Sequence, residues 1–494
     1  MATTARPQNP VLLKRNMTAD SAVNSVSASP FDSPTQSASS TSLSSLGSAD
    51  DASLKNARGK LLDTYGNEFE IPDYTIKQLR DAIPAHCFER SGLRGLGYVA
   101  RDFISLAATF YAFNTYVTPE NIPSTAVRAG LWTLYTVIQG LFGTGVWILA
   151  HECGHQSFSP SKVLNDTVGW VCHSFLLVPY FSWKISHGKH HKATGHMDRD
   201  MVFVPKTREQ YATRAGKLAH QLHELTEETP IATAIHMLIQ QLGGWPAYLF
   251  ANVTGHNHHD RQPEGKGKGK SNGFAGGVNH FNPSSPLYEK KDEHLVLLSD
   301  LGLAITMGVL IFVGKTYGWA NVMVWYVIPY LWVNHWLVAI TYLQHTDPTL
   351  PHYDAHTWTY TRGAAATIDR EFGFIGRSLF HGIIETHVLH HYVSTIPFYN
   401  ADEATEAIKG VMGKHYRSDT EGGSLGFLRA IWKSARMCNW VEPSEGAEGE
   451  GKGVFFFRNR NGLGTPPQKL SAPVAKPTAG KGAKMTVGVD SDNE

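Results

Sequence analysis

Cysteine is scarce in this sequence. Its 494 residues include only Cys87, Cys153, Cys172 and Cys438, which are far apart and form no C-x-x-C pair. Neither a disulfide framework nor a cysteine-built zinc site is therefore indicated. Net charge is small as well, because 44 Lys and Arg residues nearly balance 43 Asp and Glu residues. Without a basic excess there is no electrostatic reason to expect a nucleic-acid partner.

Charged residues are missing from two long apolar stretches. Residues 131–150 and 320–343 contain no Asp, Glu, Lys or Arg, and about 20 apolar residues suffice for a helix to cross a bilayer. Two weaker stretches, residues 103–118 and 295–314, precede them, and the second includes Asp300, which must face the protein interior. The sequence predicts an all-α integral membrane protein whose four transmembrane helices form two hairpins. Buried core helices of a soluble protein are the alternative, but such uncharged runs are long for core helices.

Low-complexity residues mark both ends of the chain. Residues 1–60 are rich in Ser, Ala and Thr, and residues 441–494 are rich in Gly, Lys and Pro. Segments of this composition cannot bury enough apolar surface to order themselves. We expect disordered tails at 1–60 and 441–494, one membrane domain at 61–440, and a long polar loop at 261–293.

Histidine, in contrast, is abundant, with 25 residues, and eight of them form three tight clusters. The clusters have the spacings H-x3-H, H-x2-HH and H-x2-HH, and residues three or four apart share one face of a helix. Imidazole suits iron, copper and zinc. Eight imidazoles are too many for one tetrahedral zinc ion, so the pattern predicts two metal ions. The clusters are His151 and His155; His187, His190 and His191; and His387, His390 and His391.

The predicted spans place the clusters on one side of the membrane. Two spans precede His151, and four precede His345 and the third cluster. The second cluster lies on that side only if residues 168–183, which include Pro179, do not cross, so we expect interfacial helices there. Residues 230–253 must likewise lie in the interface or cross an even number of times. His345 ends the last span where the other imidazoles should meet, and we predict that it is a ninth ligand.

The distribution of basic residues indicates which side this is. The loops on the histidine side include Lys184, Lys189 and Lys192, whereas the short loops on the other side carry little beyond Arg128 and Lys315. Cytosolic loops carry the excess of Lys and Arg. We therefore expect both termini and a histidine-rich metal-binding cap to be cytosolic.

The first cluster also matches a pattern of a different enzyme class. His151-Glu-Cys-Gly-His155 fits H-E-x-x-H, in which two histidines bind zinc and the glutamate is the general base of a protease. A membrane zinc metalloprotease is therefore an alternative. It leaves the six histidines of the other two clusters unexplained.

The three clusters in this order resemble the membrane fatty-acid desaturases over roughly residues 60–440. Segments such as HECGHQSFSPSKVLNDTVGW and ETHVLHHYVSTIPFYNADEA are most similar to the fungal Δ12 (oleate) branch. The resemblance implies a non-haem centre of two iron ions at the cytosolic face, with O2 as co-substrate. It implies as ligands the eight clustered histidines together with His345.

The resemblance also implies an activity and partners. We expect an acyl-lipid Δ12 (omega-6) desaturase of the endoplasmic reticulum membrane that converts oleoyl to linoleoyl chains, carried by phospholipid or coenzyme A. No His-Pro-Gly-Gly haem motif occurs, so the expected electron donors are separate proteins, cytochrome b5 and its NADH-dependent reductase. An ω3 or bifunctional Δ12/Δ15 desaturase, a hydroxylase and an acetylenase remain open, as do homo- and hetero-oligomers.

Carboxylates close to the clusters in sequence are candidates for orienting the imidazoles, because ligand histidines are usually hydrogen-bonded through their second nitrogen. These candidates are Glu152, Asp200 and Glu385. The alternative for each is a surface or helix-capping carboxylate.

Overall fold

The computed structural model describes residues 57–214, 230–255 and 277–459, which are mainly helical with two small sheets. The helices are α1 (Ile76–Ala82), α2 (Gly92–Tyr116), α3 (Thr125–Gly154), α4 (Lys162–Phe175), α5 (Tyr180–His191), α6 (Arg208–Arg214), α7 (Pro230–Ala251), α8 (Glu293–Tyr317), α9 (Trp319–His345), α10 (Tyr360–Ala364), α11 (His387–Tyr392), α12 (Phe398–Met412) and α13 (Gly423–Met437). The strands are β1 (Pro351–Tyr353), β2 (Asp369–Arg370), β3 (Ser418–Asp419), β4 (Trp440–Pro443) and β5 (Val454–Arg458).

Three helices of the described part of the chain are long and apolar enough to cross a membrane: α3, α9, and α8 together with the turn before it. Many apolar side chains of α8 are exposed, among them Leu297, Leu301, Ile305 and Phe312. An apolar surface of this extent is typical of a helix that contacts lipid. Three of the four predicted spans are therefore supported.

The remaining predicted span coincides with α2, which does not reach the same apolar character. The helix begins at Gly92, earlier than predicted, and its first half includes Arg101 and Asp102. Asp102 is fully buried, and Nε2 of His381 donates a hydrogen bond to it over 2.9 Å. The crossing of the membrane by α2 stays a prediction.

Small residues of α3 allow its neighbours to approach closely. Gly140 lies against Trp332 of α9, and Gly143 lies against Val333 of the same helix. Close approach through small residues is typical of helix pairs in membranes, where lipid leaves little hydrophobic driving force between helices. These contacts pack the middle of α3 closely against the middle of α9.

Residues 168–183 form parts of two short helices rather than one long one. Helix α4 ends at Phe175 and α5 begins at Tyr180, with Leu177 between them in the left-handed region at a φ of 52°. A helix of 14 residues, the length of α4, extends about 21 Å, which is short of the about 30 Å of a hydrocarbon core. Neither helix can span the core alone, which agrees with the predicted interfacial segment.

Ordered structure continues beyond residue 440, the predicted limit of the domain. Strands β4 and β5 lie within the expected C-terminal tail, and β5 pairs with β1 in the antiparallel sheet β1-β5-β4, with Phe456 opposite Pro351. The Gly- and Lys-rich average of the tail concealed the run Val-Phe-Phe-Phe, in which Phe456 and Phe457 are buried. The other tail residues, 1–56 and 460–494, lie outside the described residues, as do residues 261–276 of the predicted loop at 261–293.

Candidate metal centre

The nine histidines predicted as ligands all lie at the ends of helices that meet. His151 is in the last turn of α3, and His155 follows that helix directly. The second cluster forms the last turns of α5, and His345 is the last residue of α9. The third cluster forms most of the short helix α11. Segments far apart in sequence thus bring their imidazoles to one place.

Five imidazoles form a first group, with one nitrogen of each within 4.8 Å of the others. Nε2 of His187 lies 3.1 Å from Nε2 of both His151 and His191. A single Nε2 carries either one proton or one lone pair, so it cannot satisfy both neighbours by hydrogen bonding alone. The members of this first group are His151, His155, His187, His191 and His390.

A second group lies beside the first and consists of His190, His345 and His391. His387 joins it, because its Nε2 lies 3.1 Å from Nε2 of His345, which is also 3.4 Å from Nε2 of His190. The rings of His191 and His391 stack across the two groups with centroids 4.1 Å apart. All nine predicted histidines therefore belong to two adjacent donor sets.

The spacing within these groups fits metal ions. Two nitrogens about 2.1 Å from one ion and nearly at right angles are about 3 Å apart, which is close to the 3.1 to 3.4 Å between Nε2 atoms here. Within the described part of the chain, Nε2 of His155, His390 and His391 is buried without a hydrogen-bond partner. Leaving such a group unpaired costs about 1–3 kcal/mol, and coordination to a cation offsets that cost.

Burial also selects the protonation state that a metal requires. Removal from water lowers the pKa of these imidazoles, because desolvation disfavours the charged form. Neutral imidazole is the form that coordinates a metal. The pKa of His390 falls to about 3, and the pKa values of His155, His187, His191, His387 and His391 fall well below the usual range.

Asp200 is hydrogen-bonded to the imidazole of His190. Nδ1 of His190 donates a hydrogen bond of 2.6 Å to Oδ1 of Asp200, and the same oxygen accepts from the backbone N–H groups of Val202 and Phe203 at 2.9 and 3.1 Å. The carboxylate is thereby fixed by the backbone. This arrangement leaves Nε2 of His190 free to face the second group, as expected of a carboxylate that orients a ligand.

Glu152 does not make the equivalent contact. Its Oε1 lies 3.5 Å from Nδ1 of His151, whereas Oε2 accepts from the hydroxyl of Ser157 at 2.7 Å and from the N–H of Phe398 at 3.3 Å. A protease of the H-E-x-x-H type needs this glutamate as a base beside one three-ligand ion. Here His151 lies among five imidazoles and the carboxylate is held by other partners, which disfavours the protease alternative.

Glu385, the third predicted carboxylate, is directed elsewhere. Its Oε1 accepts from the backbone N–H of Phe372 at 3.0 Å, and its Oε2 has no hydrogen-bond partner among the described residues. Closeness to His387 in sequence therefore does not produce a contact with the imidazole.

Thr194 also contacts one of the imidazoles, and the sequence did not predict this contact. Its hydroxyl donates to the carbonyl of His190 over 2.8 Å, and the hydroxyl oxygen lies 3.0 Å from Nδ1 of His391. Since the hydroxyl proton is already donated, the oxygen accepts from Nδ1–H of His391. Nε2 of His391 then carries the lone pair that a metal needs. Threonine often bonds the carbonyl four residues earlier, but its second partner comes from another cluster and has no local sequence signal.

The sequence also gave no indication of the roles of Asp369 and Arg370, two adjacent buried residues that form β2. Oδ1 of Asp369 accepts from the N–H of Val388 in α11 over 2.7 Å. The fully buried guanidinium of Arg370 donates to the carbonyl of Leu343 at 2.9 Å and to Asp347 at 3.0 Å. These two neighbours therefore tie the end of α9, which bears His345, to the start of α11.

A narrow cavity, about 10 Å³ in volume, adjoins the first group of imidazoles. His390 and Glu152 form its polar side, and His381, held by Asp102, adds another polar group. Much of the lining is apolar, as expected of a place for a hydrocarbon chain. The apolar residues are Ile148, Ile383, Leu389, Val393, Ile396, Phe398 and Ala401.

Known proteins resemble this chain over most of its length. The fatty acid desaturase family model matches residues 130–423, which include all three clusters. An oleate hydroxylase of Claviceps purpurea is 60% identical over 468 residues, covering 94% of this chain and 98% of that protein. A Δ12 fatty acid desaturase of Mortierella isabellina is 46% identical, covering 79% and 92%. An omega-6 fatty acid desaturase, endoplasmic reticulum, of Brassica juncea is 41% identical, covering 79% and 93%.

Proposed function

Because the chain belongs to the fatty acid desaturase family, we propose that it is an O2-dependent Δ12 desaturase that converts oleoyl to linoleoyl chains. One observation carries most of the weight: nine imidazoles form two adjacent donor sets beside an apolar cavity. Such sets fit two iron ions, held by the first group (His151, His155, His187, His191, His390) and the second group (His190, His345, His387, His391).

The chemistry of the substrate requires such a centre. An unactivated methylene has no acidic proton, so side chains acting as acids or bases cannot remove its hydrogen at a useful rate. Two bound irons with O2 supply the oxidising chemistry. The chain's own contribution is to hold the imidazoles neutral and oriented, with Asp200 and Thr194 each fixing one Nδ1. We infer that the acyl chain lies against the apolar walls beside His390, with the narrow cavity widening to admit it and excluding water.

The electron donor and the location form part of the same proposal. We infer that cytochrome b5 and its reductase deliver the electrons at the cytosolic face of the endoplasmic reticulum membrane, to acyl chains of phospholipid or coenzyme A. The basic loops beside the histidine clusters support a cytosolic face. A relative of 41% identity that is named for the endoplasmic reticulum supports the compartment.

Hydroxylation of oleoyl chains is the second candidate, because the relative of 60% identity is an oleate hydroxylase. Both reactions act on an oleoyl chain. They differ in whether a second hydrogen is lost, which gives linoleoyl, or a hydroxyl is gained. Two other relatives, each 46% identical, are named as Δ12 desaturases. Sequence identity to these relatives therefore does not separate desaturation from hydroxylation.

Product analysis separates them. Yeast that makes oleate but no linoleate would express this chain or its His190→Ala variant, and fatty-acid methyl esters would be profiled by gas chromatography and mass spectrometry. We expect linoleate from the wild-type chain and none from the variant. Hydroxyoleate in place of linoleate would establish the second candidate, and neither product from well-expressed protein would contradict both.

A further inference from the structure

A separate cluster of side chains that could bind a metal ion lies outside the histidine centre. It consists of His86, Cys87 and Glu403, whose donor atoms lie within 4.8 Å of one another. His86 and Cys87 are neighbours in the single turn Ala85–Phe88, just before α2, and Glu403 is on α12. None of the three belongs to the histidine clusters or contributes to the proposed reaction.

The other two donor atoms both lie close to one nitrogen of His86. Nε2 of His86 lies 2.8 Å from Oε2 of Glu403 and 3.7 Å from Sγ of Cys87. In a thiol–imidazole–carboxylate catalytic triad the imidazole uses one ring nitrogen for the thiol and the other for the carboxylate. Here both contacts meet at the same nitrogen. The arrangement is unsuited to a nucleophile and suited to a shared ion.

The turn that carries two of the donors is held in place. Nδ2 of Asn400, one turn before Glu403 on α12, lies 3.3 to 3.4 Å from the carbonyl oxygens of His86, Cys87 and Glu89. Cys87 itself is buried and packs with apolar residues of α1 and α12. The side chains of His86 and Glu403 are 58% and 57% exposed, so an ion can enter from solvent onto a preformed pair of donors.

We propose that His86, Cys87 and Glu403 bind one zinc ion, with solvent in the fourth position. In a tetrahedral zinc site, nitrogen and sulfur ligands are about 3.5 Å apart and nitrogen and oxygen ligands about 3.3 Å apart. The observed N···S distance of 3.7 Å is close to the first value, and a small rotation of the exposed Glu403 side chain lengthens the N···O distance of 2.8 Å toward the second. A thiolate with an imidazole selects zinc over magnesium or calcium, which prefer oxygen ligands.

The proposed ion would link two separate parts of the fold. It would cross-link the turn before α2 to α12, and the first residue of α12, Phe398, lines the cavity and donates its N–H to Glu152. An ion that binds the folded state alone stabilises it by mass action. We therefore expect zinc to raise the unfolding temperature of the wild-type protein.

Cobalt is a probe that distinguishes this site from the histidine centre. Iron-loaded, full-length protein in detergent would be titrated with Co2+ and followed through thiolate-to-cobalt charge-transfer absorption, which an all-imidazole site cannot give. We expect about one equivalent to bind with this band, because the group offers one thiolate. Cys438→Ser is the matched control and should keep the band, whereas Cys87→Ala should abolish it.

The other two donors are tested by affinity. His86→Gln and Glu403→Gln should weaken cobalt binding at least tenfold, since loss of even a ligand's partner costs about 10–100-fold. Iron content and fatty-acid products should stay at the wild-type level, which makes the outcome independent of the proposed reaction. Absence of the band in wild-type protein, or its survival in Cys87→Ala, would overturn the proposal. If Cys87→Ala fails to load iron, that variant is misfolded and Glu403→Gln takes its place, because the Glu403 side chain is exposed. An unchanged affinity of Glu403→Gln for cobalt would then overturn the proposal.

Discussion

At the scale of single residues, the centre depends on which nitrogen of each imidazole is hydrogen-bonded. Asp200 accepts from Nδ1 of His190, and Thr194 accepts from Nδ1 of His391. In both cases the bond fixes the tautomer and turns Nε2 toward the second group. A neutral imidazole without such a partner divides its proton between two nitrogens, and one of these forms cannot coordinate through Nε2.

Replacement of Thr194 tests this directly. Thr194→Val keeps the shape of the side chain but removes the acceptor for His391, and we expect product formation to fall about 10–100-fold, with less iron bound per chain. Thr194→Ser retains the hydroxyl and should restore most of both. Iron would be measured per chain in purified protein, and linoleate in cells. Wild-type values in Thr194→Val would contradict the assignment of the tautomer.

The sequence was sufficient to find the imidazoles but not most of their partners. The three clusters correctly predicted the family, and His345 was found because it ends the last apolar stretch. Thr194 and Asp369 escaped notice because each meets a segment distant in sequence. Glu385 was misleading, since closeness along the chain to His387 does not determine where its carboxylate is directed. The role of the nine histidines as ligands stays a prediction.

At the scale of elements, helix geometry divides the clusters between the two groups. His187 and His191 are four residues apart, share a face of α5 and enter the first group, whereas His190 enters the second. In α11, His390 and His391 are likewise separated. The helical period predicts that neighbouring histidines diverge. Which group each one joins depends on how the helices cross, and that is not encoded locally.

Packing of α3 against α9 can be tested at a glycine. A Cβ added to Gly140 would lie 2.3 Å from Cβ of Trp332, whereas one added to Gly130 of the same helix would meet nothing within 4 Å. Gly140→Ala should push the helices apart and cost about 1–3 kcal/mol of stability, with partial loss of iron. Gly130→Ala is the control and should be neutral or slightly stabilising. Equal unfolding temperatures for the two variants would refute this packing.

Helix α2 shows that hydropathy alone does not predict the full extent of a helix. The apolar pattern marked only its second half as a span, because Arg101 and Asp102 interrupt the first half. The structure continues the helix through both, and the carboxylate of Asp102 accepts from its neighbour Arg101 over 2.8 Å and from His381 of a distant segment over 2.9 Å. A buried charge with a remote partner cannot be distinguished in sequence from an exposed one.

At the scale of the whole molecule, three helices direct their C-terminal ends at the centre. Helices α3, α5 and α9 end at Gly154, His191 and His345. The C-terminal end of a helix carries a partial negative charge that favours nearby cations. The arrangement compensates in part for a donor set without carboxylates.

The C-terminal sheet gives a test of where the domain ends. A chain that ends after residue 459 keeps β4 and β5, whereas a chain that ends after residue 439 loses both and exposes the surface of β1 that pairs with β5. We expect the longer chain to retain membrane-inserted, iron-containing protein and the shorter one to be degraded. Equal accumulation and activity of the two would show that the sheet does not contribute to the fold.

Metal content is the most direct test of the central claim, that nine imidazoles hold two irons. Wild-type protein would be purified in mild detergent from iron-replete cells, and iron and zinc would be measured per chain by mass spectrometry, with His345→Ala as comparison. We predict about two irons and little zinc in the wild-type protein, with clearly less iron in the variant. About one zinc per chain and no iron, as a three-ligand zinc site would give, would contradict the claim.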